Sequence, residues 1–298
     1  MTGDLVLGLD QATLGAILAL VAAFFFALSA HVQNMAGKSI STQVGTLVLI
    51  GTQALVYSIA ALFVVKWSYW TTGAVILFAA AGVLRPTLSI ALWIEGIKRL
   101  GPTLNAALTS SGPFFAAIFG ILILGETMTG NIAAGIALVV AGVLVPTLMT
   151  RGIISSFPAW ALLLPLGASA LRNVAHAVTK IGFAEVPSPL FAALVSSLMS
   201  LTLVAGQFVV RRQRITGHVS DYRYFVLSGM ISALAVYLLN QALEFGQVIT
   251  VAPLVASSPV FSALLGYFVF GRETLNWRTM LTIGFVVPGV VLIVLASG

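Results

Sequence analysis

Ser110 to Glu126 reads SSGPFFAAIFGILILGE, and Ala256 to Glu273 reads ASSPVFSALLGYFVFGRE. A spacing of 146 residues pairs Ser111 with Ser257, Pro113 with Pro259, Phe115 with Phe261, Gly120 with Gly266 and Gly125 with Gly271. The acidic residue closing each copy, Glu126 or Glu273, is displaced by one inserted residue, Arg272. Each copy reads as an apolar helix with a proline near its start and a glycine-acid break at its end. A 298-residue chain that repeats itself at half its length is a duplicated structure.

Composition states where such a structure lives. Apolar residues are 59% of the chain and charged residues 7%, with mean hydropathy +1.09. A soluble domain carries about 25% charged residues, so this chain lacks the polar surface to face water. It reads as an integral membrane protein. Its apolar stretches run to about twenty residues, the length of a spanning helix, and the alternating segments of a β-barrel are absent. The net charge of +6 belongs to loops that set orientation, so no nucleic-acid partner is expected. With no cysteine, disulfides and thiolate chemistry are excluded. Leu14 to Asn34 lacks the basic flank and cleavage site of a signal peptide and reads as a first spanning helix.

Counting apolar stretches between polar, glycine and proline breaks predicts ten helices, over 13–34, 44–65, 72–96, 103–124, 130–149, 158–180, 189–210, 223–243, 248–270 and 277–296. The fold expected is all-α, with ten transmembrane helices in two five-helix repeats, 13–149 and 158–296. The repeat spacing sets helices 1 to 5 on helices 6 to 10. Five is odd, so the second repeat enters the membrane upside down. Inverted repeats are typical of secondary transporters, whose substrate site lies near the midplane between the halves.

The chain also resembles the EamA branch of the drug/metabolite transporter superfamily over nearly its whole length. The residues carrying the likeness are Ala242-Leu243, Ser257-Ser258-Pro259-Val260-Phe261 with Gly266, Gly271-Arg272-Glu273, and the tail from Gly284 to Leu295 with Pro288-Gly289. Leu100-Gly101-Pro102, Pro113 and Gly125-Glu126 match the same pattern in the first half. The resemblance implies small-molecule transport, often export, through a cavity made by helices 1, 3, 4, 6, 8 and 9, with helices 5 and 10 peripheral.

Let side A be the membrane face where helix 1 begins, and side B the other. Side-A ends carry Lys66 and Lys180; side-B ends carry Lys38, Lys98, Arg99, Arg151, Arg211, Arg212, Arg214, Arg223, Arg272 and Arg278. The positive-inside rule then puts side B in the cytoplasm of a plasma-membrane protein, with both termini outside. The family resemblance implies the reverse. Charge bias is the reading preferred here.

Polar residues within the hydrocarbon are costly unless they face a cavity or a partner. Helix 6 places Arg172, His176, Thr179 and Lys180 on one face, with Arg172 at mid-depth and Lys180 near enough to an end to act as an interfacial anchor. Helix 3 places Arg85 near its centre, then Pro86, Ser89 and Trp93; the proline frees a backbone carbonyl, and the arginine can grip a carboxylate or phosphate. Trp93 reads equally as cavity wall and as interfacial belt. Helix 1 carries a small-residue stripe, Gly15, Ala19, Ala23 and Ala27, ending at His31, and reads as a packing seam. His31 and His176 are candidates for proton transfer or substrate hydrogen bonds, against a structural role for each. Tyr237, Asn240 and Gln241 on helix 8, Asn105 and Thr109 on helix 4, and Gln53 with Tyr57 on helix 2 complete the candidate wall. Pro113, Gly120, Pro259 and Gly266 are candidate hinges. All eight acids lie in loops or at helix ends, with Glu126 and Glu273 expected to cap helices 5 and 10.

The expectation is a secondary transporter, exporter or exchanger, of a small polar metabolite that is carboxylate- or amino-acid-like. Two mid-membrane arginines without buried acids motivate it. No carboxylate stands mid-membrane in helix 1, which disfavours proton-driven efflux of lipophilic cations. Facilitated diffusion, exchange and a proton route through the histidines stay open as coupling. A passive channel or flippase-like permease is the alternative. An intramembrane enzyme lacks its acid pair or metal cluster, and no nucleotide motif is present. No cofactor or metal is expected; the partners are the substrate and the bilayer, with a homo-oligomer left open.

Overall fold

In the computed structural model, residues 10–36, 40–149, 158–212, 218–271 and 276–297 are described. Lys38, Arg151, Arg214, Arg272 and Glu273 lie outside them. Ten helices are long and apolar enough to cross a membrane: α1 (Gln11–Gln33), α2 (Thr42–Val64), α3 (Ala74–Gly101), α4 (Leu104–Leu124), α5 (Gly130–Thr147), α6 (Ala159–Glu185), α7 (Pro189–Val210), α8 (Ser220–Phe245), α9 (Val248–Phe268) and α10 (Trp277–Ser297). Among the described residues there is no strand. Lipid offers backbone groups no partners, so each segment satisfies them internally. Side-chain oxygens serve the first turns: Asp10 accepts from the Thr13 N–H, Ser41 from Val44, Thr129 from Ile132 and Ser188 from Phe191.

Two spans run about five residues beyond their predicted ends. α3 continues to Gly101, whose φ of 78° is a left-handed turn that only glycine adopts at little cost. α6 continues to Glu185, so Lys180 lies inside the helix.

The packing carries an internal two-fold relation. α1 packs on α8 as α6 packs on α3; α2 on α8 as α7 on α3; α1 on α9 as α6 on α4. The pairs α2–α7, α4–α9 and α5–α10 map onto themselves. With five spans per half, the halves are inverted. The local geometry repeats too. Before Pro113 the backbone at Ser110 and Ser111 flattens to ψ −7° and 0°; before Pro259 it does so at Ala256 and Ser257, with ψ −7° and −4°. Ser111 and Ser257 each donate to the carbonyl three residues back, both at 2.6 Å. Gly125 and Gly271 both turn left-handed, at φ 66° and 60°.

The α1 stripe is buried, and α1 makes its most extensive contact with α8. Ser29 and Ser228 close that seam, each hydroxyl within 3.0 Å of the other residue's carbonyl. Small side chains let the two backbones approach.

Candidate functional site

α3 is broken where its cation stands. Pro86 has no N–H to give and disfavours helical geometry in the residue before it; Arg85 is accordingly extended, at φ −133° and ψ 121°, within a loosened turn from Val83 to Leu88. The Gly82 carbonyl is freed, and the Ser200 hydroxyl of α7 takes it at 2.8 Å. A Cβ at Gly82 would collide with the Ser196 carbonyl, so glycine lets α3 and α7 touch here.

The break opens onto a cavity of about 670 Å³ between the repeats. That volume suits a small metabolite. Arg85, Ser89 and Trp93 of α3 line it, with Arg172, Asn173 and His176 of α6. α4 supplies Ala106, Thr109, Ser110, Gly112 and Pro113; α9 supplies Ala252, Val255, Ala256, Ser258 and Pro259, the same five places 146 residues on. The cavity therefore sits on the two-fold axis. The resemblance implied a wall without helices 2 and 7. Instead α2 contributes Thr46, Gln53 and Tyr57, and α7 contributes Ser196, Ser197 and Ser200. These two spans pack on each other and on the broken helix, which brings them to the axis. α5 adds only Val139 and Val143.

Both arginines face this space, and among the described residues no carboxylate lines it. Arg172 is exposed although it stands mid-span, because its accessible surface belongs to the cavity. Among the described residues it has no hydrogen-bond or ion-pair partner. Arg85 Nη1 lies 3.1 Å from His176 Nδ1. An arginine N–H can only donate, so Nδ1 accepts and the ring proton is on Nε2. His176 is thereby a positioned neighbour of the cation.

The other candidates lie apart. His31 turns away from the cavity: Nε2 is 2.9 Å from the Ser262 carbonyl, and the ring stacks on Phe270 with centroids 4.9 Å apart. Asn105 is fully buried behind the wall beside Gly96, and neither amide atom has a partner among the described residues. Asn240 Nδ2 donates to the Pro189 carbonyl at 3.3 Å. Tyr237 and Gln241 are half-buried and do not line the cavity. Of the candidate hinges, Pro113 and Pro259 follow the backbone breaks, whereas Gly120 and Gly266 sit inside continuous helix. The serines of α7, with Ser169 and Ser232, went unread in the sequence. Their signal was the run Ser196, Ser197 and Ser200 in a largely apolar span.

At the side-A end, two charged residues act differently from expectation. Lys180 is not an interfacial anchor: its ammonium donates to the carbonyls of Leu243 at 2.7 Å, Glu244 at 3.2 Å and Gly246 at 2.7 Å, the open end of α8. Glu126 does not cap α5. Its two oxygens accept from the N–H groups of Val248 at 2.7 Å and Ile249 at 2.9 Å, the start of α9. The helix dipoles explain both choices, since a cation suits a C-terminus and an anion an N-terminus. The α8–α9 turn is thus clasped from both repeats. Beside it, Tyr69, Trp70, Phe78, Phe183 and Phe191 form an aromatic cluster with centroids 5.1 to 6.0 Å apart. The cavity lining, by contrast, reaches the side-B ends of α1 and α4 at Gln33 and Ala106. Near side B, Glu95 holds Arg99 at 2.8 Å and Lys98 at 3.6 Å, as the spacing predicts.

A family model described as the EamA-like transporter family matches residues 13–148 and again 159–295. No curated protein matches the chain in sequence. A solved structure titled "Crystal structure of protein" superposes with a TM-score of 0.80 at 18% identity, over 96% of both chains. At that identity the likeness speaks for the fold alone.

Proposed function

The chain belongs to the EamA-like transporter family, and from that premise we propose that it is a secondary transporter, an exporter or exchanger, of a small polar metabolite bearing a carboxylate, amino-acid-like in size. The observation that carries this reading is Arg172, which among the described residues has no partner and faces a cavity lined by a second arginine and no acid. A charge at mid-membrane depth without a protein partner is costly, and a visiting anion supplies the missing partner. Arg85, Arg172 and His176 bind the anionic end, Ser89 and Trp93 flank it, and alternating access proceeds by bending α4 and α9 at Pro113 and Pro259. No catalytic step is assigned. The clasped side A and the lining that reaches side B correspond to a side-B-open state. The charge bias makes that face cytoplasmic in a plasma-membrane protein.

Counterflow in proteoliposomes tests this. Vesicles preloaded with unlabelled amino and hydroxy acids should accumulate the matching labelled compound transiently above equilibrium. Equilibration without that overshoot would instead support the passive-channel reading. No flux of any small anion would sink both.

A further inference from the structure

Six of the hydroxyls that line the cavity with the arginines share a feature that bears on which anions fit. Ser196 Oγ donates to the Ala192 carbonyl at 2.6 Å and Ser197 Oγ to Leu194 at 2.9 Å. Ser200 Oγ has the Gly82 and Ser196 carbonyls, both at 2.8 Å. Across the cavity, Thr109 donates to Asn105 at 2.7 Å, Ser110 to Ala107 at 2.6 Å and Ser169 to Thr109 at 3.0 Å. A hydroxyl has one proton and two lone pairs. Each of these side chains has given its proton to a backbone carbonyl, so what it offers a ligand is acceptor capacity alone. The charged donors are the guanidiniums of Arg85 and Arg172, beside the Nε2–H of His176; the amides of Gln33, Gln53 and Asn173 and the Ser258 hydroxyl also line the cavity. The two sets are held together: Ser200 grips Gly82 three residues before Arg85, and Ser169 stands three residues before Arg172. An anion without donors satisfies the arginines but makes no bond to these oxygens, which stay hydrated, whereas one that brings donors replaces that water and gains a bond.

Resting on the transport reading above, we infer that this cavity selects anions that bring their own hydrogen-bond donors beside the charge, hydroxyl or ammonium, with Ser196, Ser197 and Ser200 as the specificity-determining residues. The matched set L-lactate, L-alanine and propionate, which differ only in a hydroxyl, an ammonium or a hydrogen beside the carboxylate, tests it by direct binding to the purified full-length protein. L-Lactate or L-alanine should bind at least about tenfold more tightly than propionate, the discrimination one well-made hydrogen bond supports. Whichever of the two binds more tightly identifies hydroxyl or ammonium as the donor. Ser196→Ala and Ser197→Ala, whose hydroxyls bond only within their own helix, should each reduce that preference at least about threefold while leaving propionate binding unchanged. Propionate binding as tightly as both donor-bearing acids overturns the inference and leaves the transport reading standing. So does a preference that survives both substitutions. Failure of all three acids to bind removes both. The wild-type comparison decides the matter even where a serine variant folds poorly.

Discussion

Replacing Arg172 with alanine separates a ligand-binding cation from a structural one. A structural arginine would be held by carbonyls or acids; Arg172 has no such partner among the described residues and faces the cavity. Its removal therefore breaks no internal bond and relieves the chain of an uncompensated mid-membrane charge, so folding stability should hold or rise. Ligand binding should suffer. A guanidinium grips a carboxylate through two charge-assisted hydrogen bonds, each worth about 1.5–3 kcal/mol. The lining reaches the side-B ends of the spans, so water screens the pair and the lower value applies. Two bonds at that value give about 3 kcal/mol, roughly a 10²-fold loss of affinity at 1.4 kcal/mol per decade. Isothermal titration on purified protein measures the loss, and counterflow measures its effect on flux. Thermal unfolding in the same detergent reports the fold. A variant that binds within about threefold of wild type, or one that unfolds markedly earlier, would refute the reasoning.

Other substitutions probe the neighbouring assignments. His31→Ala removes the bond to Ser262 and the stack on Phe270. It should cost about 1–2 kcal/mol of stability, seen in thermal unfolding, with ligand affinity unchanged; an affinity loss would return His31 to the pathway. Glu126→Ala orphans the N–H groups of Val248 and Ile249, costing about 1–2 kcal/mol at the start of α9. Because the chain has no cysteine, a single Ala193→Cys reports side-A access, and the Glu126 variant should be labelled faster from that face by an impermeant maleimide. Equal labelling would mean that the clasp does not close side A. Gly82→Ala drives a methyl group into the Ser196 carbonyl and should cost about 1–3 kcal/mol; an unchanged melting temperature would contradict the α3–α7 contact.

The frame was legible in the sequence because a membrane leaves few choices. Twenty apolar residues in lipid form a helix, and the matched Pro113 and Pro259 stretches declared the duplication and its inversion. Arg85, Arg172 and His176 were legible for the same reason: a charge at mid-depth faces inward whatever the packing. What escaped depended on contacts between helices distant in sequence. Lys180 read as a snorkelling side chain because nothing in its own helix reveals that α8 ends beside it. Glu126 was assigned to the helix that follows it, yet the unsatisfied N–H groups nearest to it belong to α9, across the repeat boundary. The α7 serines were hidden for a different reason. Serine in an apolar helix bonds to its own backbone and leaves no periodic signature when it also lines a cavity.

The duplication sets the scaffold but not the chemistry, and that difference bears on mechanism. The five cavity positions of α4 recur on α9, so these two walls are matched. The charged wall is not: the repeat spacing puts Phe26 opposite Arg172, Ala30 opposite His176 and Ile231 opposite Arg85. On the proposed reading, an anion held on α3 and α6 would keep its binding partners on one wall while the frame around it exchanges faces. The clasp is unmatched as well. The places equivalent to Lys180 and Val248 are Asn34 and Pro102. Asparagine carries no charge for a helix C-terminus, and proline has no N–H for a carboxylate to cap. A mirror-image clasp on side B therefore cannot form with the same bonds. On the proposed alternating-access reading, the Lys180 and Glu126 contacts favour the state closed toward side A. Removing either partner should then raise the fraction open to side A, read as faster labelling of the cysteine at position 193.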